Sequence, residues 1–264
     1  MNPFKITEPT CISFSGGRTS AYMLYRVLEA HDMSLPDDAI VCFANTGKED
    51  EATLKFVHDC ETKWNVPIVW LEYIPEQPKF KIVNYETASR DGTPFAELIT
   101  KKSFLPNSVM RFCTTDLKIN PISAYMKSIG IEEFETMAGI RADEPKRIAK
   151  LRQSLYAPLA SAGVSQADIQ NFWKNYHFNL GLEFRDKVTP LGNCDLCFMK
   201  GAYQITSIIQ QNPDRAIWWA EQEKKIGGRF SKDRPDYTSM MEFGKNQIDM
   251  FDKNEETIAC FCGD

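Results

Sequence analysis

The feature that most constrains this chain is a short β-prone apolar run at residues 10–14. It passes into Ser15-Gly16-Gly17-Arg18-Thr19-Ser20 and then into apolar residues at helical spacing over 21–30. Strand, glycine-rich turn and helix in that order make an anion site. Small residues let backbone N–H groups approach a phosphate, and the positive end of the helix dipole favours the charge. Ser15, Thr19 and Ser20 add hydroxyls and Arg18 adds a cation. Taken alone, the same string also suits an ordinary strand-to-helix turn.

The pattern then repeats. Residues 39–43 read as a strand, 53–64 as a helix and 67–73 as a third strand; a helix over about 120–128 and a strand at 135–139 follow. Strands alternating with helices imply a largely parallel sheet covered on both faces, so the expected fold is α/β, a doubly wound parallel sheet with its ligand at the carboxyl ends of the strands. Beyond Ala142 the character turns helical. Ser165 to Asp168 reads as a capping box opening a helix over 169–176, and 201–212 is another helix. The expected division is a nucleotide-binding domain over 1–200 and a helical region over 201–264. A charged, Gly- and Pro-rich stretch at 224–237 is expected to be a mobile surface segment before the cysteine-bearing tail.

With 264 residues, 43% of them hydrophobic, the chain can bury a sizeable core. A net charge of −5 gives no general footprint for nucleic acid or an anionic membrane, which leaves a nucleic-acid partner to a local basic groove. No run of about 18 apolar residues occurs and the N-terminus lacks a secretory plan, so a cytoplasmic protein with no membrane partner is expected. Eight cysteines in a reducing compartment point to metal binding, catalysis or plain burial. Cys11, Cys42 and Cys60 sit in apolar runs and read as buried small hydrophobes. The three histidines are scattered, and Trp218-Trp219 reads as core. Cys194-Asp195-Leu196-Cys197 is a CxxC, in which two thiolates from one turn can hold one metal.

The segment from Ser13 to Ser20 resembles the PP-loop of adenine nucleotide alpha hydrolases, within which the phosphoadenylyl-sulfate reductase family is the nearest. Further segments agree in order: Asn45-Thr46-Gly47 through Phe56-Val57; Cys113 through Lys118 and Pro121; Gly139-Ile140-Arg141-Ala142-Asp143-Glu144 through Arg147; and Ala157-Pro158-Leu159, Phe172-Trp173 and the CxxC. Thr19 stands where most PP-loops carry Asp, and Thr114 where cluster-bearing reductases carry a second adjacent Cys.

The resemblance implies an adenine nucleotide held by Ser13, Ser15, Gly16, Gly17, Arg18, Thr19, Ser20, Asn45, Thr46, Gly47, Gly139 and Arg141. Arg141, Arg147 and Lys118 would line a phosphate or sulfate. It also implies a [4Fe-4S] cluster, with zinc as the alternative, on Cys113, Cys194, Cys197 and a tail cysteine. Cys260 is expected as that ligand and Cys262 as the catalytic nucleophile, with their exchange as the alternative. Mg²⁺ on Asp143 and Glu144 would accompany ATP. The activity implied is reduction of a sulfonucleotide, served by an electron or sulfur donor protein. The alternatives are an ATP-dependent sulfurtransferase acting on a nucleic acid or small molecule, and a nucleotide-binding regulator without turnover.

Overall fold

In the computed structural model, residues 2–151, 154–185 and 188–245 are described. The strands β1 (Thr10–Ser13), β2 (Ala39–Asn45), β3 (Ile68–Tyr73), β4 (Phe80–Val83), β5 (Glu135–Ala138) and β6 (Leu155–Tyr156) form one sheet in the order β4-β3-β2-β1-β5-β6. All neighbours run parallel except β4, which returns antiparallel to β3 at the edge. Thr10 stands opposite both Ala39 and Glu135, which makes β1 the centre of the sheet. The order reverses there, since β2 and β3 are laid down on one side and β5 and β6 on the other. Such a switch point opens a crevice at the carboxyl ends of the strands. The expected doubly wound α/β fold is therefore the fold observed.

Helices cover both faces: α1 (Arg18–Ala30), α2 (Glu51–Lys63), α3 (Thr93–Lys102), α4 (Phe112–Thr114), α5 (Asn120–Ser128), α6 (Pro145–Ile148), α7 (Pro158–Ser161) and α8 (Gln166–Asn175), followed by α9 (Ala202–Gln211), α10 (Arg215–Ile226) and α11 (Tyr237–Lys245). A π-helical turn, Thr115–Ile119, joins α4 to α5. The helix α2 opens at Glu51, ahead of the residue 53 expected, because the Asp50 side chain caps the Ala52 N–H at 2.9 Å. The capping box of Ser165 and Asp168 opens α8.

The two-residue alternation of the strands divides the core. Ile12, Val41 and Phe43 face a cluster with Met23, Leu24, Val27 and Leu28 of α1. Cys11, Cys42 and Leu71 face the other way, against Ile122 and Met126 of α5. Each such side chain contributes about 1.5–3 kcal/mol when fully buried. Cys11, Cys42 and Cys60 are buried, as their apolar settings lead one to expect.

A third cluster joins Phe95, Leu98 and Ile99 of α3 to Leu196, Ile205, Trp219, Phe230 and Tyr237, so one core runs across residue 200. The stretch 224–237 departs from its expectation of a mobile surface. Phe230 and Tyr237 are fully buried, and the Glu223 carboxylate accepts both of their backbone N–H groups at 3.0 and 2.8 Å. The buried Arg234 donates to the carbonyls of Lys200 and Phe198. Most charges of the stretch are exposed, and the anchoring comes from Phe230, Tyr237 and the single buried cation Arg234. Among the described residues no helix is long and apolar enough to cross a membrane.

Candidate functional site

The crevice at the switch point holds a small pocket of about 50 Å³. It is lined by Ser13 at the end of β1 with Phe14 and Ser15 after it, Ala44 of β2, Ala138 at the end of β5 with Gly139 after it, and Ser20, Lys118, Ile122 and Arg147. The turn 14–17 is shaped by its glycines. Gly16 has φ +80°, and a Cβ there would stand 2.7 Å from Thr53 Cγ2. Gly139 lets β5 approach the first turn of α1: a Cβ would lie 3.0 Å from Ser20 Cα. The Ser20 hydroxyl closes the loop, lying 3.2 Å from the Ser15 N–H and 2.9 Å from the Ser15 hydroxyl, and donating to the Gly17 carbonyl. Gly17 caps α1 with no side chain, and its first turn carries no acid. The positive end of the helix therefore faces the crevice without a protein anion in that turn.

Two cations reach the pocket. Arg147 is only 6% exposed; its Nη1 donates to Glu144 Oε1 at 2.7 Å, while its Nε has no partner. A buried guanidinium donor with nothing to bond costs free energy that an oxyanion would return. Lys118, presented by the π-helical turn, lies 3.9 Å from Glu49 Oε1, itself buried without a hydrogen-bond partner. Of the three cations expected to line a phosphate or sulfate, Lys118 and Arg147 share this pocket and Arg141 does not line it.

Arg18 and Arg141 turn the other way. Arg18 donates to Asn179, Thr189 and the Leu182 carbonyl, which fastens the segment after α8 to the loop. Arg141 donates to Asp143 at 2.9 Å and to the Thr19 hydroxyl at 3.3 Å. With Thr19 they line a separate cavity of about 430 Å³ beside α8.

Asn45 and Gly47, expected at the nucleotide, are also built into the fold. The buried Asn45 amide donates to Glu72 Oε1 and the Ser89 carbonyl, and its oxygen accepts the Gly47 N–H. Gly47 is in the left-handed region at φ +78°, with Gly92 Cα 3.0 Å from a Cβ built there. Thr46 donates to Glu49 at 2.8 Å, and its hydroxyl lies 3.4 Å from Cys194 Sγ.

The CxxC lies on this same edge. Glu49 and Cys194 form an isolated antiparallel bridge, and the Asp195 N–H donates to the Lys48 carbonyl. Asp195 is buried, accepts from Trp219 Nε1 at 2.9 Å and pairs with Lys48 at 3.3 Å. Beneath the turn, the buried Lys200 ammonium donates to the carbonyls of Gly192, Cys194 and Asp195 at 2.9, 2.5 and 2.8 Å. Burial holds the Cys194 thiol well above its ordinary pKa. Glu49 and Cys197 push the same way, whereas Lys118 and the Thr46 hydroxyl push against them.

Cys113, Cys194 and Cys197 pack against one hydrophobic cluster, yet among the described residues no three His, Cys, Asp or Glu side chains stand together at metal-holding spacing. Cys260 and Cys262 lie outside the described residues. Residues two apart in an extended chain share a face, so their spacing does not separate their roles. The described residues therefore do not make up the four-thiolate shell of a [4Fe-4S] cluster or a zinc site. Asp143 and Glu144, the residues expected to meet Mg²⁺, engage protein donors here. The first accepts from Arg141 and the Gln166 N–H, the second from the Arg141 N–H and Arg147.

Sequence reasoning missed Lys200, because a lysine just after a CxxC carries no visible sign of being buried under it. Nor does the sequence show that Arg147 is buried, which follows from its place in α6.

Fold and site define a doubly wound α/β protein with a glycine-rich turn and a small pocket lined by Lys118 and Arg147 at the carboxyl edge of its parallel sheet. No known family model matches the sequence. Over 207 residues it is 31% identical to the uncharacterized nin region protein ORF290 of Escherichia phage lambda, covering 74% of this chain and 67% of the phage protein, and it belongs to that protein's family. It is also 29% identical over 140 residues to the uncharacterized protein MJ0066 of Methanocaldococcus jannaschii, which takes in 53% of this chain and 24% of the archaeal protein.

Proposed function

We propose that this protein is a PP-loop enzyme of the phosphoadenylyl-sulfate reductase type, holding an adenine nucleotide at the switch point with its phosphates on the loop 15–20. The observation that carries the reading is the buried, unpartnered Nε of Arg147 in a pocket shared with Lys118 and the Ser15 and Ser20 hydroxyls. The adenosine enters the crevice between β1 and β5. Lys118 and Arg147 hold the negative charge that grows on the leaving phosphate. Arg141 is a positioning residue, acting through the Thr19 hydroxyl.

In sulfonucleotide reduction a cysteine thiolate, assigned to Cys262, attacks the sulfate sulfur. The S–O bond to the nucleotide phosphate breaks, the nucleotide leaves with that electron pair, and an enzyme thiosulfonate forms. A dithiol donor then supplies two electrons, releasing sulfite and becoming a disulfide. The competing reading, an ATP-dependent sulfurtransferase, is favoured by Cys194, which lies against Thr46 and Glu49 and feels the charge of Lys118, a residue that lines the pocket, so a thiol other than the tail's stands near it.

Calorimetric titration with ATP, AMP and adenylyl sulfate tests the common core of both. Gly17→Val and Arg147→Met should each weaken binding at least ~10-fold, the latter by removing a charge-assisted bond. Absence of binding by all three ligands, or unchanged affinity in Gly17→Val, rejects the site. Sulfite release from adenylyl sulfate under a dithiol selects the reductase; ATP-dependent AMP formation selects the transferase.

A further inference from the structure

The cavity of about 430 Å³ shares no lining residue with the switch-point pocket, yet the two are neighbours through the first turn of α1 and one chain of polar contacts. Arg141 faces the cavity, Arg147 faces the pocket, and Glu144 lies between them, accepting the Arg141 N–H at 2.8 Å and Arg147 Nη1 at 2.7 Å. Thr19 stands at the cavity and Ser20 at the pocket, one residue apart on α1.

Its lining sorts into three chemistries. Arg141 and Lys174 bring cations beside the Glu144 carboxylate; Ile169, Trp173, Phe184 and Val188 give an apolar wall; Gln166 and Gln170 bring carboxamides. Phe184 is 38% exposed, a large ring left at the surface beside these cations. The volume is in the range of small-molecule sites and far exceeds what a bare oxyanion fills. Cations for a phosphate, an aromatic edge for a flat ring and carboxamides for ring heteroatoms describe one ligand class. We infer that this cavity is a second-substrate site taking a nucleotide unit, its phosphate on Arg141 and Lys174 and its base against Phe184. The net charge of −5 does not oppose this, because charges beyond about 8 Å are screened at physiological salt.

The inference rests on the proposed nucleotide site for its meaning as an acceptor pocket, and the test keeps the two apart. The full chain is saturated with adenosine 5′-(β,γ-imido)triphosphate and titrated with UMP and, separately, with a 5′-labelled thymidine hexanucleotide. Both probes, or the hexanucleotide alone, should bind; the first result means a free nucleotide suffices, the second that the unit must come in a strand. Lys174→Glu, at an exposed position of α8, should weaken binding ~10-fold or more in 50 mM salt and less in 200 mM. Gln170→Trp, also exposed, should weaken it by filling the cavity. Gly17→Val should abolish imidotriphosphate binding and leave the second affinity unchanged, so failure of the first site is told apart from failure of this one. The inference is overturned if neither probe binds, if both α8 variants bind like the parent, or if inorganic phosphate competes as well as UMP, which would leave an anion site that does not read a base.

Discussion

Replacing Lys200 by Met should unlock the turn that carries the CxxC. The ammonium is buried and bonds to three backbone carbonyls, those of Gly192, Cys194 and Asp195, at 2.5–2.9 Å. Hydrogen bonds to a charged donor are worth ~1.5–3 kcal/mol each, which sets a ceiling of about 5–9 kcal/mol for the set. Desolvation works against it, and burial is the leading reason the Lys200 pKa falls below its ordinary value. Methionine has similar length and no desolvation cost but leaves the carbonyls unsatisfied. Breaking one side of a buried charged arrangement costs about 3–5 kcal/mol, the figure expected here. For a chain of this size that is a fall in Tm of ~10 °C. Thermal unfolding followed by circular dichroism measures it, and native-state labelling of Cys194 and Cys197 by a thiol reagent should quicken as the turn loosens. A Tm within 2 °C of the parent with unchanged labelling would refute the view that this ammonium organises the turn.

Gly139→Ala should weaken adenine nucleotide binding more than it lowers Tm. Its Cβ meets Ser20 Cα at 3.0 Å and separates β5 from the loop, an overpacking cost of ~1–3 kcal/mol read by paired calorimetry and melting. Asn45→Ala strips Glu72 and the Ser89 carbonyl of a donor. It should cost ~1–3 kcal/mol and speed amide exchange over 84–92, with nucleotide affinity changed less than in Gly17→Val. In acid, stability should fall below about pH 4, the ordinary carboxylate value. Glu51 beside Arg90, Asp91 under the Thr93 N–H, Asp168 on Ser165 and Asp236 under the Ser239 N–H all have folded pKa values below the ordinary range. Their stabilisation is present above the unfolded pKa and is lost as pH falls through the folded ones. A melting temperature at pH 2 equal to that at pH 5 would contradict this.

The sequence by itself determined the sheet and the glycine-rich turn at its carboxyl edge. Apolar runs buried on both faces, a Ser-Gly-Gly turn and the periodicity of α1 are local signals, and they specify β1, the loop and the helix without help from the rest of the chain. The burial of Cys11 and Cys42 follows from the same alternation. Only the tertiary structure decided which cations meet. Lys118 and Arg147, 29 positions apart, share a pocket because β1 and β5 are neighbours at the switch point. Arg141, just ahead of α6, is carried into another cavity by its bond to Thr19. The tertiary structure likewise decided that Asn45 is a pin, since its partners Glu72 and Ser89 are distant in sequence. It also decided that the stretch 224–237 is folded, because Glu223, Arg234 and Tyr237 spend polar groups on buried backbone carbonyls and N–H groups that only a completed core presents. Side-chain periodicity reports which face of an element is buried; what that face meets depends on contacts far apart in sequence, and composition carries no record of them.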